Sequence, residues 1–312
     1  MQSSSIDRMQ EPVVLKQFAR RISEDLETPV SLFMGMRRKE GAVLLESTEV
    51  DGRWGRYSIM AFDPLLTVRC GNGRLALEIA DSRLAPLALY EGQPFVEGLR
   101  GVMRALHIQA DETAASMPPV ARALYGYLGF GMAGVFMPRL AASLPPEQAE
   151  CVLVLPRTVL VFDHLYNTML QASYGSHPEL TGIHGESVPV STDLEKIESV
   201  PGAAGYKAAV QHIKLQLGQG EAIQVVPSVR FSVPCEGDSF TLYRRLRECN
   251  PSPYMFYMEF PDGELFGASP EVMLRCTEGK MRLSPIAGTR PRGTSPAEDA
   301  RLADELLQDP KE

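Results

Sequence analysis

The sequence predicts an α+β fold in which antiparallel β-sheets are layered and helices lie outside them. Residues 152–162 (VLVLPRTVLVF) are rich in β-branched side chains, which is typical of a strand, and Pro156 indicates a bulge or an edge position. Residues 66–70 and 75–79 are apolar runs on either side of GNGR, whose Asn and Gly tolerate the positive φ of a tight hairpin turn. Residues 203–217 carry apolar side chains at helical spacing. Strand and helix runs are grouped along the chain instead of alternating, which favours α+β over α/β.

The remaining predicted elements are short strands with a few helices. Further strands are predicted over residues 42–47, 57–62, 222–226, 254–260, 265–268, 272–276 and 280–285, and further helices over residues 241–248 and 296–307. Between the strand at residues 152–162 and the helix at residues 203–217, a stretch rich in Ser, Gly, Pro, His and Glu indicates a linker. We therefore expect an N-terminal domain over residues 13–172, a linker over residues 173–202 and a second domain over residues 203–312.

Composition excludes several classes of function. The 312 residues are 44% hydrophobic and 22% charged, as in a globular protein with one or two cores. No segment reaches the roughly 18–20 consecutive apolar residues of a membrane span, and the N-terminus lacks the pattern of a secretory signal. Five cysteines without CxxC spacing favour reduced thiols in the cytoplasm. A net charge of -8 without a dense basic run argues against nucleic acid as a partner.

Residues 283–293 (LSPIAGTRPRG) are the first candidate for a binding site. They leave an apolar strand and enter a turn rich in Gly and Pro before a helix. Gly288 allows a ligand to approach the backbone closely, and Thr289 offers an N–H and a hydroxyl, so that together they form a cradle for a carboxylate. The alternative is a plain strand-to-helix turn with solvated Arg290 and Arg292.

Two further side chains are candidates for chemistry. Glu271, in FGASPEVML, is a candidate general acid, because a carboxyl near an apolar wall has a raised pKa. Gln224 stands at the start of a predicted strand, where an amide orients a substrate but cannot act as a general base. The alternatives are a capping glutamate and a strand residue with satisfied hydrogen bonds.

Four motifs in this order and spacing resemble the chorismate-binding domain of anthranilate synthase component I. They are IQVVPSVRF, NPSPYMFY, ASPE and PIAGTRPRG, at residues 223–231, 250–257, 268–271 and 285–293. In the N-terminal half, LLES, RYSIMAFDP and GYLGF agree with the same family, at residues 44–47, 56–64 and 126–130. The resemblance covers almost the whole chain and implies the α+β fold of that family.

The resemblance implies an amination of chorismate with elimination of pyruvate to give anthranilate. Glu271 would protonate the departing C4 hydroxyl, and Gly288 and Thr289 would hold the substrate ring and its carboxylate. Gln224 stands where the related isochorismate and salicylate synthases carry a lysine that activates water. Ala287 stands where aminodeoxychorismate synthase carries a nucleophilic lysine. Direct attack of ammonia at C2 is the route that remains.

The resemblance also implies a cofactor and a protein partner. Family members bind Mg²⁺ through glutamates that lie mostly downstream, so the ligands are expected beyond residue 312, with none within this chain. The chain is accordingly expected to be C-terminally truncated and inactive alone. It shows no G-x-C-x-G nucleophile turn, so ammonia is expected from a separate glutamine amidotransferase subunit.

LLES and NPSPYMF resemble the site at which tryptophan inhibits this family. Glu46 and Ser47 would hold the α-amino group of the effector. Pro253, Tyr254 and Met255 would supply an apolar wall and backbone contacts. The alternative is a strand pair packed across a domain interface.

Two other functions stay open at this stage. One is aminodeoxychorismate synthase component I, which Ala287 disfavours. The other is a non-catalytic, truncated chain that binds tryptophan. Isolated histidines are usually solvated or packed, and none of those in this chain lies in a matched motif, so none is predicted to be catalytic: His107, His164, His177, His184 and His212.

Overall fold

The computed structural model describes residues 12–22, 27–37, 41–47, 55–144, 150–183, 189–284 and 288–309. By contacts, the chain divides into two compact units. The first comprises Met1–Glu186 and Leu246–Ala268, and the second comprises Ser187–Arg245 and Ser269–Glu312. The segment Leu246–Ala268 therefore packs with the N-terminal part of the chain, although it follows the predicted linker.

The secondary structure consists of short strands with few helices, as the sequence predicts. In the described ranges the strands are β1 (Val13–Ile22), β2 (Ala42–Glu46), β3 (Tyr57–Gly71), β4 (Arg74–Ile79), β5 (Leu106–Ala110), β6 (Tyr125–Leu128), β7 (Cys151–Asp163), β8 (Thr168–Ser173), β9 (Ser191–Thr192), β10 (Glu198–Val200), β11 (Arg230–Ser232), β12 (Cys235–Glu236), β13 (Tyr254–Phe260), β14 (Gly263–Ser269), β15 (Arg275–Thr277) and β16 (Lys280–Arg282). The α-helices are α1 (Pro29–Met36), α2 (Phe95–Ala105), α3 (Glu112–Ser116), α4 (Met132–Phe136), α5 (Ala203–Gly218), α6 (Ser239–Cys249) and α7 (Pro296–Leu307). Short 3₁₀ turns cover Ser82–Tyr90, Pro119–Arg122, Pro138–Ser143 and Leu194–Lys196.

A ten-stranded sheet forms the centre of the first unit. Its strands follow the order β14-β13-β2-β3-β7-β8-β1-β5, with β4 paired to β3 and β6 paired to β7. The pairs from β13 through β2, β3, β7 and β8 to β1 are antiparallel, whereas β1 and β5 are parallel. The predicted α+β fold with mainly antiparallel sheets is confirmed, and the β1–β5 pair is the exception to its antiparallel order.

The longest strand, β3, joins two stretches that the sequence predicts as separate strands. Its pairing with β7 shifts register between Pro64 and Leu66, next to Asp63, which has a φ of 56°. Pro64 lies opposite Pro156 of β7. Neither proline has an N–H to donate, so the ladder is interrupted and the strand bends without ending. The bulge that Pro156 predicts is therefore found where it meets Pro64.

The turn between β3 and β4 has the predicted hairpin geometry. Asn72 and Gly73 have φ values of 50° and 73°. Two successive positive φ angles are typical of a type I′ turn, which matches the twist of the flanking strands.

Two hydrophobic clusters hold the described part of this sheet together. One lies between β3, β4 and α2 and includes Leu66, Val68, Leu75, Phe95 and Val102. The other involves β2, β3, β7 and β13 and includes Val43, Ala61, Val161, Met258 and Phe260. Each fully buried side chain of this kind contributes about 1.5–3 kcal/mol relative to an exposed one.

The second unit contains less buried surface. Neither α5 nor α7 has a buried residue. Three two-stranded ladders are found among its described residues, formed by β10 with β11, by β12 with β9 and by β15 with β16. The strand predicted over residues 222–226 is wrong, because Ile223 and Val226 are 89% and 79% exposed and have no partner strand. A β-branched run forms a strand only where a neighbour satisfies its backbone.

No α-helix among the described residues is long and apolar enough to span a membrane.

Gly126, in the GYLGF motif, provides a test of the β6–β7 packing. A Cβ at this position would lie 1.8 Å from the carbonyl oxygen of Val152. We expect Gly126→Ala to destabilise the fold by about 2–3 kcal/mol, because the backbone of β7 cannot move aside. Gly71→Ala is the matched control, since no atom lies within 4 Å of its added Cβ. Urea unfolding followed by circular dichroism compares the two variants, and equal midpoints would contradict the tight β6–β7 approach.

Candidate active site and effector site

A cleft of about 400 Å³ lies in the second unit at the end of β14. It is lined by Ser269, Glu271, Val272, Met273, Leu283 and Ser284. Its volume falls in the range of small-molecule sites, roughly 300–1,000 Å³. Two motifs that are separate in the sequence meet at this cleft, because residues of ASPE and the residues immediately before PIAGT both line it.

Glu271 lies in a tight turn that follows β14. The Glu271 N–H donates to Ser269 Oγ at 3.4 Å, and Ser269 Oγ donates to the Glu271 carbonyl oxygen at 3.2 Å. These bonds, with Pro270 between the two residues, fix the backbone from which the carboxyl extends. Glu271 is exposed, so the enclosing apolar wall expected from the sequence is not found around it. The general-acid role of Glu271 stays a prediction.

Both arginines of the TRPRG turn form ion pairs, but the Arg292 side chain stays 90% exposed, so it is solvated as in the alternative from the sequence. Arg292 forms two-pronged contacts with Asp299 of α7, the shortest at 2.6 Å, and Arg290 Nη2 lies 2.8 Å from Asp309 Oδ2. The hydrogen bond between Arg292 and Asp299 raises the pKa of Arg292 and lowers the pKa of Asp299. Arg292 thereby links the turn to α7, and Arg290 links it to Asp309, just beyond the end of that helix.

Gly293 fits between this turn and α7 because it has no side chain. Its N–H donates to Asp299 Oδ1 at 2.8 Å, and a Cβ would lie 2.2 Å from the Asp299 nitrogen. The helix then begins with Ser295 as N-cap, whose Oγ accepts from the Glu298 N–H. The glycine in this motif is therefore required by packing, independently of any ligand.

The predicted catalytic and substrate residues are only partly brought together. Glu271 lines the cleft. Gly288 is half-buried and Thr289 is exposed, both directly before the anchored turn. Gln224 is exposed and is not among the residues that line the cleft. Ala287 lies outside the described residues.

In the first unit, the predicted effector residues meet where β2 ends and β13 begins. Met255 pairs with Glu46 in the antiparallel register, so Ser47, just after β2, lies near the start of β13. Met255 and Glu46 are buried, while Ser47, Pro253 and Tyr254 are half-buried. The structure therefore places these five residues together at one end of the strand pair.

The Glu46 carboxylate has a basic partner that the sequence did not reveal. Arg247 Nε lies 3.1 Å from Glu46 Oε2. The Glu46 side chain is 2% exposed and the Arg247 side chain is 41% exposed. A carboxylate buried to this degree needs a counter-charge, and Arg247 supplies it from the end of α6.

Ser58 and His164 continue this polar group on the neighbouring strands. Leu45 pairs with Ile59, so one step further in the same register Ser58 lies opposite Glu46. Ser58 Oγ and His164 Nε2 are 2.8 Å apart and share a hydrogen bond. Burial lowers the pKa of His164, the Glu46 carboxylate raises it, Arg247 lowers it and Asp163 raises it, with a net decrease. A polar Ser within the apolar run YSIMAF was the available sequence signal for this cluster.

No group of three or more His, Cys, Asp or Glu side chains that could hold a metal ion is found in the described part of the chain.

Two solved structures define the class of fold. Anthranilate synthase component I from Streptococcus pneumoniae superposes with a TM-score of 0.52 at 20% identity, covering 94% of this chain and 64% of its own. MenF, the menaquinone-specific isochorismate synthase from Escherichia coli, gives a TM-score of 0.58 at 12% identity, covering 97% and 61%. The chain therefore has the α+β fold that these two enzymes share.

A comparison of the sequence with protein-family models identifies the family. A family model described as chorismate binding enzyme matches residues 64–312. The chain therefore belongs to the chorismate binding enzymes.

Three curated relatives are about one third identical to this chain over the aligned residues. Anthranilate synthase component 1 of Cereibacter sphaeroides is 33% identical over 94% of this chain and 63% of its own length. The corresponding proteins of Thermus thermophilus and Bacillus subtilis are 32% and 31% identical, over 96% and 92% of this chain and 65% and 61% of their own. The chain thus spans about three fifths of the length of these relatives.

The charged groups around His164 lead to a testable prediction of its pKa. We expect its pKa, followed by NMR of the ring protons, to lie below the ordinary value. Glu46→Gln should lower that pKa further, because an attractive carboxylate is lost, and Arg247→Gln should raise it. Glu78→Gln, a change on β4, is the control and should leave it unmoved.

The sign of the associated stability effect follows from linkage. Because the folded pKa of His164 is depressed, the neutral ring contributes stability that is present above the unfolded pKa and is lost as pH falls through the folded pKa. A His164 pKa at or above 6.5 would contradict the burial and charge assignment.

Proposed function

We propose that this chain belongs to an anthranilate synthase component I, which aminates chorismate with ammonia and eliminates pyruvate to give anthranilate. The observation that carries the proposal is the pair Gln224 and Ala287, which stand where the resemblance places lysines in the water-using and the covalent sister enzymes. An amide and a methyl group offer neither a general base nor an amine nucleophile. Relatives at 31–33% identity that carry the name anthranilate synthase component 1 support the same choice.

In the proposed reaction, this chain contributes a proton donor and a carboxylate cradle. Glu271 protonates the C4 hydroxyl as it leaves, from the wall of the cleft near Ser284. Gly288 and Thr289 orient the ring through a substrate carboxylate. The ion pairs of Arg290 with Asp309 and of Arg292 with Asp299 hold the adjoining turn. Gln224 orients the substrate without taking a proton.

Magnesium is implied by the family resemblance, but the described residues do not fit a site for it. Mg²⁺ requires near-octahedral oxygen ligation, usually with one or two carboxylates and substrate oxygens. Glu271 is the one carboxylate among the residues lining the described cleft, and we assign it to the proton. We therefore propose that the ligands come from the part of the family's length that this chain does not span, and we assign no step to the metal.

Ammonia delivery and feedback complete the proposal. A separate glutamine amidotransferase subunit supplies ammonia, and tryptophan inhibits by binding where Glu46, Ser47, Pro253, Tyr254 and Met255 meet. The cluster around Glu46 supports an effector site, because a buried carboxylate with a partly exposed guanidinium suits a polar ligand.

One alternative is a non-catalytic, truncated chain that binds tryptophan. The ion pair between Glu46 and Arg247 would suit such a chain as well as an enzyme. Aminodeoxychorismate synthase component I is the other alternative, and Ala287 disfavours it because it provides no amine.

Product analysis tests the proposed function. A protein that contains this chain and has the full length of its relatives is incubated with chorismate, ammonium and Mg²⁺. The products are then separated by chromatography. We expect ortho-aminobenzoate and pyruvate in equal amounts. Isochorismate, salicylate or para-aminobenzoate as the main product would contradict the assignment.

Glu271→Gln tests the proton donor in the same assay. Loss of a general acid should lower kcat by roughly 10²- to 10⁴-fold with little effect on folding. Glu264→Gln, an exposed carboxylate on β14, is the matched control and should keep its activity. A Glu271→Gln enzyme within threefold of the unmodified protein would refute the role.

A further inference from the structure

We infer that Cys70 and Cys151 form a reversible disulfide bond between strands β3 and β7 when a small-molecule disulfide such as oxidised glutathione oxidises them. All five cysteines of the chain are free thiols in this structure. The inference concerns the first unit alone. It does not depend on the proposed function, and no motif considered in the sequence contains either residue.

The strand register places the two cysteines directly opposite one another. The β3–β7 ladder pairs Arg69 with Val152, so the next pair in the same register is Cys70 with Cys151. Side chains that lie directly opposite each other point to the same face of a sheet. Both cysteines accordingly belong to one hydrophobic region, in which Cys151 is a buried member of the core cluster and Cys70 packs against it half-buried.

The backbone hydrogen bonds show how far apart the two cysteines lie. Leu75, which pairs with Cys70 on the other side of β3, donates its N–H to the Gln93 carbonyl at 2.9 Å and accepts from the Gly92 N–H at 2.8 Å. Since Leu75 is used in this way, the backbone groups of Cys70 face β7 and form a hydrogen-bonded pair with Cys151. The Cα atoms of such a pair are about 5.5 Å apart, within the range of roughly 4.4–6.8 Å that disulfides span.

The two side chains must approach each other before the bond can close. Directly opposite Cβ atoms are about 4.5–5.5 Å apart, with hydrogen-bonded pairs at the longer end, whereas a disulfide needs about 3.8 Å. The bond therefore strains the two strands. Strained disulfides are reduced more easily than relaxed ones, which is why we infer a reversible bond instead of a permanent cross-link.

The surroundings assign the order of the two chemical steps. Burial raises the pKa of both thiols, to about 12 for Cys151, and the Gly73 N–H partly offsets this at the more accessible Cys70. The Cys70 thiolate attacks one sulfur of oxidised glutathione and releases the first glutathione. The Cys151 thiolate then attacks the Cys70 sulfur and releases the second. One disulfide is reduced as another forms, and the two protons lost by the protein end on the two glutathione thiols.

Counting thiols on the intact folded chain tests the inference. The variant Cys235→Ser/Cys249→Ser/Cys276→Ser removes the three exposed cysteines and keeps the proposed pair. Circular dichroism first establishes that the variant is folded. We expect a chromogenic thiol reagent, added after denaturation, to detect two thiols before incubation with oxidised glutathione at pH 8.5 and none afterwards. Excess reduced glutathione, added without denaturant, should restore both thiols.

Mass spectrometry identifies the bond directly. Trypsin releases the two cysteines in separate peptides, residues 70–74 and 140–157. After oxidation these peptides should be joined, with no glutathione attached, both in the variant and in the unmodified protein. Adding Cys70→Ser or Cys151→Ser to the variant should abolish the joined peptides. The unmodified protein decides the question if a variant does not fold.

The contrary outcomes are equally distinct. Two free thiols in the folded variant after oxidation would overturn the inference, as would glutathione retained on Cys70 or a disulfide between two molecules on a non-reducing gel. A bond that persists in excess reduced glutathione would contradict its reversibility.

Discussion

The antiparallel pairing of β2 with β13 is the contact on which the rest of the first unit depends. Five residue pairs, from Met255 with Glu46 to Glu259 with Ala42, join segments about two hundred residues apart. The same ladder carries a second buried carboxylate, Glu259, whose Oε1 lies 2.7 Å from Arg37 Nη1 and accepts from the Tyr257 hydroxyl at 3.1 Å. Each buried carboxylate is stable only with its arginine in place, so strand pairing and ion pairing require one another.

This arrangement links the fold to the proposed regulation. Arg247 lies in the last turn of α6, which precedes β13, and Glu46 ends β2, so any displacement of β13 along β2 separates the pair. β13 is buried on both faces from Tyr257 to Phe260, so a shift of one residue would exchange the side chains of two packed faces, because side chains alternate across a strand. Packing of Tyr257 on one face and Met258 on the other therefore fixes the register, and with it the position of the polar group at the end of the ladder.

The sequence predicted strands well where they have neighbours and poorly where they do not. β7, β13 and α7 were predicted within about two residues, because their apolar periodicity coincides with burial or capping. Residues 222–226 have the same β-branched character but remain exposed, since strand formation depends on a pairing partner that lies elsewhere in the chain. The merging of two predicted strands into β3 was not predicted, because Pro64 and Pro156 mark an interruption in sequence but only their opposition shows that it is a bulge.

The sequence predicted those residues of the candidate sites that lie in recognisable motifs. Motif resemblance found Glu46 and Glu271, whereas Arg247 and His164 lie outside the matched motifs. Ser58 lies within RYSIMAFDP but was given no role, and all three join the proposed effector cluster only through tertiary contacts. Hydrogen–deuterium exchange of residues 42–47 and 253–259, with and without L-tryptophan, tests most directly whether the β2–β13 junction is the effector site. We expect slower amide exchange in both segments when L-tryptophan is bound. Unchanged exchange there, with protection appearing in another part of the chain, would contradict it.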